Sequence, residues 1–216
     1  AVDSYFVAAA EHGLNSSTLT ARVSASTGSD VAACISSAIG TLSGPLHGGA
    51  PARVLTMLDE VERSEDPVGF VKRALDRGER LMGFGHRVYR AEDPRARVLR
   101  KVAHDLDAPR YEAACALEAA ALDELANRRP DRVLKTNVEF WSAVLLDYAQ
   151  VPSSMFTSMF TCARIAGWSA HILEQKRTGR LLRPSARYIG PAPRSPQVVP
   201  GWDPDMVRPS WLIPPE

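Results

Sequence analysis

A chain of 216 residues, 45% hydrophobic and 24% charged, is long enough for one large or two small domains with a sizeable core. Its formal net charge of +1 excludes bulk electrostatic attraction to nucleic acid or to an anionic membrane. No uninterrupted apolar run approaches the roughly 20 residues that span a bilayer, and any anion must be gripped by local arginines, which heavily outnumber lysines.

Taken in order, Ala1-Val2-Asp3-Ser4-Tyr5 lacks both a starting Met and a signal-peptide pattern and reads as the inside of a helix. The expectation is a piece of a longer protein. Val2, Phe6 and Val7 to Ala10 give a first helical face ending at His12-Gly13, and Asn15-Ser16-Ser17 caps a second helix to about Ser26. A third follows Ser29-Asp30, with Val31, Cys34, Ile35, Ala38, Ile39 and Leu42 at helical spacing, until Gly44-Pro45 stops it. Helices are expected from Ala52 to Val61, from Asp66-Pro67 to Gly78, from Pro94 to about Asp107 and from about Arg110 to Asn127. Asn137-Val138-Glu139 opens another with Val144, Leu145 and Tyr148, and Val151-Pro152-Ser153-Ser154 ends it and caps a long one from Met155 to about Arg177. No run of alternating strand residues is evident, so the reading is all-α. Beyond Gly190 the chain is Pro-rich and reads as an irregular tail, docked through Trp202, Trp211, Leu212 and Ile213. Cys34, Cys115 and Cys162, far apart and without a CxxC pair, read as buried free thiols in a reducing, cytoplasmic setting.

One stretch organises the rest: Leu81-Met82-Gly83-Phe84-Gly85-His86-Arg87-Val88-Tyr89-Arg90-Ala91-Glu92-Asp93-Pro94-Arg95. Gly83 and Gly85 permit a tight turn and a close ligand, while Asp93 and Pro94 cap and start a helix. Arg95 then sits in a first turn, where a cation opposes the helix dipole; that placement suggests an arginine held for an anionic ligand. His47, in Pro45-Leu46-His47-Gly48-Gly49-Ala50, and His12 also sit at helix ends beside glycines, where an imidazole can stay neutral and donate a hydrogen bond. Glu139 stands at a helix start. His104 and His171 read as structural. No two of His12, His47, His86 and Glu139 have HxxxH or HExxH spacing, so no metal site is expected, and neither a G-x-S-x-G elbow nor a P-loop is present.

Together these segments resemble the second half of a citrate synthase. Glu11-His12-Gly13-Leu14-Asn15-Ser16-Ser17-Thr18, Gly44 to Ala50, Gly83 to Tyr89 with Asp93-Pro94-Arg95, and Asn137 to Ser142 are similar to the family's motifs in order. Met155-Phe156-Thr157, Ala163-Arg164, Gly167-Trp168 and Arg183-Pro184 resemble its closing segments. The resemblance implies a two-domain helical fold that lacks the N-terminal part of its large domain. Residues 1–49 and 151–190 would be large domain, 50–150 the small domain and 191–216 the tail.

The same resemblance implies a homodimer acting on oxaloacetate and acetyl-CoA, with no cofactor beyond that substrate. His12, His86, Arg95 and Arg164 would bind oxaloacetate, and Arg183 would reach into a second copy's site. Leu81, Met82, Gly83, Phe84 and Gly85 would lie along the adenine of coenzyme A, with Arg90 near its phosphates. Glu139 would be the general base, His47 the donor to the thioester oxygen and His86 the group polarising the ketone. One position departs from the family: its usual Asp is Glu139 here, a methylene longer. A backbone set farther back is expected to compensate; the alternatives are a 2-methylcitrate synthase taking propionyl-CoA, or a silent paralogue that keeps only the pockets.

Overall fold

The computed structural model describes residues 1–44, 47, 48, 50–86 and 91–203. Within that range the chain is helical: α1 Val2–Ala9, α2 Ser16–Ser26, α3 Val31–Leu42, α4 Ala50–Ser64, α5 Pro67–Asp76, α6 Pro94–Asp105, α7 Tyr111–Arg128, α8 Val138–Tyr148 and α9 Phe156–Thr178. A 3-10 turn, Ser153–Met155, leads into α9, which starts after Met155 with no side-chain cap, in place of the cap expected at Ser153-Ser154. Among the described residues the nearest thing to a sheet is an isolated antiparallel bridge, Phe84 to Thr136.

Side-chain caps start five of these helices where the sequence places them. Asn15 accepts from the Thr18 amide, Asp30 from Ala33, Asp66 from Gly69, Asp93 from Arg95 and Asn137 from Glu139. Pro67 and Pro94 occupy first turns, where a missing N–H costs nothing. Helix ends move by up to three residues from expectation; α1 stops at Ala9, α4 runs from Ala50 to Ser64, and Arg110 precedes α7 without joining it.

The first compact unit is Ala1–Leu182. Within it α1, α2 and α3 pack with α9, and α4 to α8 pack among themselves, the two groups meeting where α1 lies against α6 and α8. Phe140, Trp141, Phe156 and Trp168 are all buried. Glu118 is buried with them and accepts from Arg100 Nη2 at 2.7 Å and from Trp141 Nε1 at 3.1 Å.

Several faces differ from expectation. In α1 the buried pair is Tyr5 and Ala9, one turn apart, while Val7 is exposed. In α3 Cys34, Ala38 and Leu42 form the inner stripe and Val31 and Ile39 lie outside it, because a stripe at i, i+4 and i+8 leaves its flanks to water. Tyr148 is exposed at the end of α8. The thiols are free, but only Cys34 is buried; Cys115 is half-buried and Cys162 exposed, on the outer side of α9. The second unit, Arg183–Glu216, holds a 3-10 turn at Pro196–Val198. Expectations for Pro45, Leu46, Gly49, Arg87 to Arg90, Trp211, Leu212 and Ile213 fall outside the described residues.

Candidate active site

Two glycines tie the organising loop to the start of α8. Gly83 and Gly85 have φ of +87° and +86°, a region L side chains rarely adopt. The bridge at Phe84 is closed by hydrogen bonds from Gly85 N to Lys135 O (2.7 Å) and from Asn137 N to Gly83 O (2.9 Å). Asn137 also donates its side-chain amide to Gly85 O at 3.0 Å. A Cβ on Gly83 would lie 2.8 Å from that of Phe140, so the loop can approach α8 this closely only as glycine. His86 and Glu139, 53 positions apart in sequence, are thereby held on neighbouring segments.

Asp93 makes the second tie. Its side chain is fully buried and caps α6 through the Arg95 amide (3.0 Å), while Oδ2 accepts from the Val138 amide at the head of α8 (3.2 Å). The same carboxylate takes the Arg95 guanidinium in a fork, Nε to Oδ1 at 3.0 Å and Nη2 to Oδ2 at 2.7 Å. The Arg95 cation is therefore not left to oppose the dipole of α6 while awaiting a ligand. Asp93 offsets its charge locally, while Arg95 still lines the cleft. Burial by itself would raise the Asp93 pKa, but the Arg95 hydrogen bonds and charge hold it below the ordinary range.

One cleft of about 1140 Å³ is lined by His12, His47, His86, Arg95, Glu139 and Arg164, together with Leu81, Met82, Gly83, Phe84 and Gly85. The His12 and His86 rings meet edge to face, 5.0 Å between centroids. Arg164 is buried; its Nε donates to Ala9 O at 2.8 Å and its guanidinium lies 4.8 Å from the centre of the Phe160 ring. Burial and the Arg95 charge together push its pKa down to about 10. Arg183, the other expected oxaloacetate contact, belongs to the second unit, and Arg90 lies outside the described residues.

Electrostatics set the protonation states. Burial pushes the Glu139 carboxyl up to about 7, against the pull of Arg80 and Arg95; part of the residue stays open to the cleft. Burial, then the charges of Arg95 and His86, lower His12 to about 4. His47 is lowered by burial and Arg164, and His86 chiefly by burial. All three imidazoles are thus biased to the neutral form. Behind His47, Ser17 Oγ accepts from Trp168 Nε1 (3.3 Å), and its one proton serves either Asn15 Oδ1 (2.8 Å) or His47 Nε2 (3.0 Å).

Sequence reasoning missed three contributors. Arg53 and Arg80 line the cleft, and Arg80 exerts the largest charge effect on Glu139. Its position directly before Leu81 was the available signal. Asp93 was read as a cap alone, because nothing local shows that its second oxygen reaches α8.

A helical cleft that joins one carboxyl titrating near neutrality, three imidazoles held neutral and two crowded guanidiniums is an acid–base site suited to an anionic ligand. The chain belongs to the citrate synthase family, whose C-terminal-domain model matches residues 1–185. It is 70% identical over 203 residues to the protein named "Putative citrate synthase 2" of Mycobacterium tuberculosis, covering 94% of this chain and 54% of that one. It is 39% identical over 196 residues to the 2-methylcitrate synthase of Shewanella oneidensis, covering 88% and 50%. Its fold matches the citrate synthase of Thermoplasma acidophilum, solved as a ternary complex with carboxymethyl coenzyme A and oxaloacetate, with TM-score 0.80 and 31% identity over 93% of this chain and 54% of that one. The chain spans about half the length of the curated relatives it matches.

Proposed function

We propose that the protein this chain belongs to condenses acetyl-CoA with oxaloacetate and water to citrate and free CoA. Glu139 takes a proton from the methyl carbon of the thioester while His47 donates a hydrogen bond to the thioester oxygen, spreading the charge of the enolate. For that step His47 carries its proton on Nδ1, so Ser17 directs its hydroxyl hydrogen to Nε2. His86 polarises the oxaloacetate ketone; the nucleophilic carbon attacks it, forming the new carbon–carbon bond of citryl-CoA. Water then cleaves the thioester, releasing the thiol. His12, Arg95 and Arg164 grip the oxaloacetate, Arg95 through the edge of its guanidinium that Asp93 does not occupy.

In the same reading Leu81 to Gly85 lie along the adenine of coenzyme A and Arg90 near its phosphates. Residues 50–150 close as a small domain over 1–49 and 151–190, keeping water out until the carbon bond has formed. Arg183 completes the site of a second copy in a homodimer.

One observation carries the proposal: Glu139, His47 and His86, from three distant segments, line a single cleft with Arg95 and Arg164. The test is a condensation assay that follows thiol release. Glu139→Gln should lose at least about 100-fold in kcat, the usual worth of a general base, and Glu139→Asp should keep measurable turnover. Undiminished turnover in the Gln variant would sink the proposed role of Glu139. A second reading, 2-methylcitrate synthesis from propionyl-CoA, is favoured by the Shewanella relative. A clear preference for propionyl-CoA over acetyl-CoA in the same assay would select it.

A further inference from the structure

Helix α9 contributes more to the cleft than Arg164. Arg164, Gly167 and His171 lie on one face of it, at i, i+3 and i+7. Each meets one of three successive residues leading into His12. Arg164 Nε donates to Ala9 O at 2.8 Å, Gly167 N to Ala10 O at 3.1 Å, and His171 Nε2 lies 2.9 Å from Glu11 Oε1. The middle contact requires glycine: a Cβ at Gly167 would sit 2.4 Å from Ala10 O.

The outer contact has a defined sense. Arg22 Nη1 lies 2.9 Å from His171 Nδ1, and a guanidinium can only donate. Nδ1 is therefore the acceptor and Nε2 carries the proton that goes to Glu11. Arg22 is itself paired with Glu174, one turn further along α9. The same Glu11 oxygen accepts from the Gly13 amide at 2.6 Å, so the turn that carries His12 is closed over a carboxylate which α9 holds from behind. That double acceptance keeps Glu11 below its ordinary range, the His171 hydrogen bond being the largest cause.

We infer that Gly167 and His171 are positioning residues: Gly167 through Ala10 and His171 through Glu11 set the height of the His12 turn in the cleft, and with it the affinity for the keto acid. The inference rests on the proposed role of His12 toward oxaloacetate. It treats α9 as a ruler with three marks, of which only Arg164 touches ligand. His171, in this account, is more than a packed helix residue although it lies outside the cleft lining.

The test uses the full-length protein carrying His171→Ala and His171→Gln. Loss of the strut should raise KM for oxaloacetate by about 10-fold or more, since displacements near 1 Å carry penalties of that size and above. KM for acetyl-CoA and the melting temperature should hardly move. Glutamine, which can donate to Glu11 and accept from Arg22, should restore most of the oxaloacetate KM. An unchanged oxaloacetate KM in the alanine variant, or a uniform loss in both KM values and in stability, would overturn the inference. Arg22→Met, which removes the donor that fixes the tautomer, is read in the same way should the alanine variant not fold. If the parent protein does not condense these substrates, the functional proposal fails and the strut is judged separately. Exchange of the Gly13 amide should then be faster in the alanine variant and normal in the glutamine one, and equal exchange in both would refute the strut.

Discussion

A carboxylate that removes a proton from a weakly acidic carbon works best when its own pKa lies near the working pH. Glu139, pushed up from 4.5 to about 7, would meet that condition in the proposed role. Below about 7 it holds its own proton and cannot accept another, so kcat/KM should rise with pH through about 7, not through the 4–5 range of an ordinary glutamate. His12, neutral down to about 4, is not expected to enter that limb. A pH–rate profile with its acidic limb near 4.5 would refute the account of burial given for Glu139. The extra methylene relative to the family's aspartate was legible in the sequence, as was the helix start on which it sits. Its raised pKa was not, because burial depends on α8 meeting the 79–86 segment across a tertiary contact. The exposure of Cys162 was hidden for the same reason: helical spacing identifies a face but not the neighbour covering it.

Between single residues and the chain stand the helix starts, and these were the most legible features. Asn15, Asp30, Asp66, Asp93 and Asn137 each open a helix through a hydrogen bond within three residues, a local interaction that sequence encodes directly. What sequence could not show is that one of them serves two helices. Asp93 holds the first turn of α6, the Arg95 fork and the head of α8 with one buried carboxylate. Asp93→Asn presents an N–H where the fork or the Val138 amide needs an acceptor, and it leaves the largely buried Arg95 without its counter-charge. Breaking such a pair from one side costs about 3 kcal/mol or more. Denaturant unfolding should show a loss of that order, and oxaloacetate affinity should fall with it because Arg95 and Glu139 lose their common anchor. A variant as stable as the parent would mean that Asp93 only caps α6.

Across the whole chain, the burial that tunes the cleft also sets how stability varies with pH. Glu139 binds its proton more tightly folded than unfolded, so its contribution is fully present below about 4.5 and lost as pH rises through about 7. A shift of this size corresponds to about 3 kcal/mol at most. The imidazoles act oppositely. His12, lowered from 6.5 to about 4, and His47 and His86, lowered in the same direction, favour the fold above about 6.5 and weaken it as pH falls. Between about 4.5 and 6.5 the two slopes oppose each other, but three imidazoles outweigh one carboxyl, so the melting temperature should still rise with pH there. Glu139→Gln removes only the carboxyl side of this balance. The variant should melt several degrees above the parent at pH 8, where the parent buries a charge, and level with it at pH 4.5, where the parent's carboxyl is protonated and nearly isosteric with the amide. Thermal melts of both proteins at pH 4.5, 6 and 8 measure the effect. A melting difference independent of pH would mean that Glu139 is not desolvated in the folded protein, and the tuning of the base would fall with it.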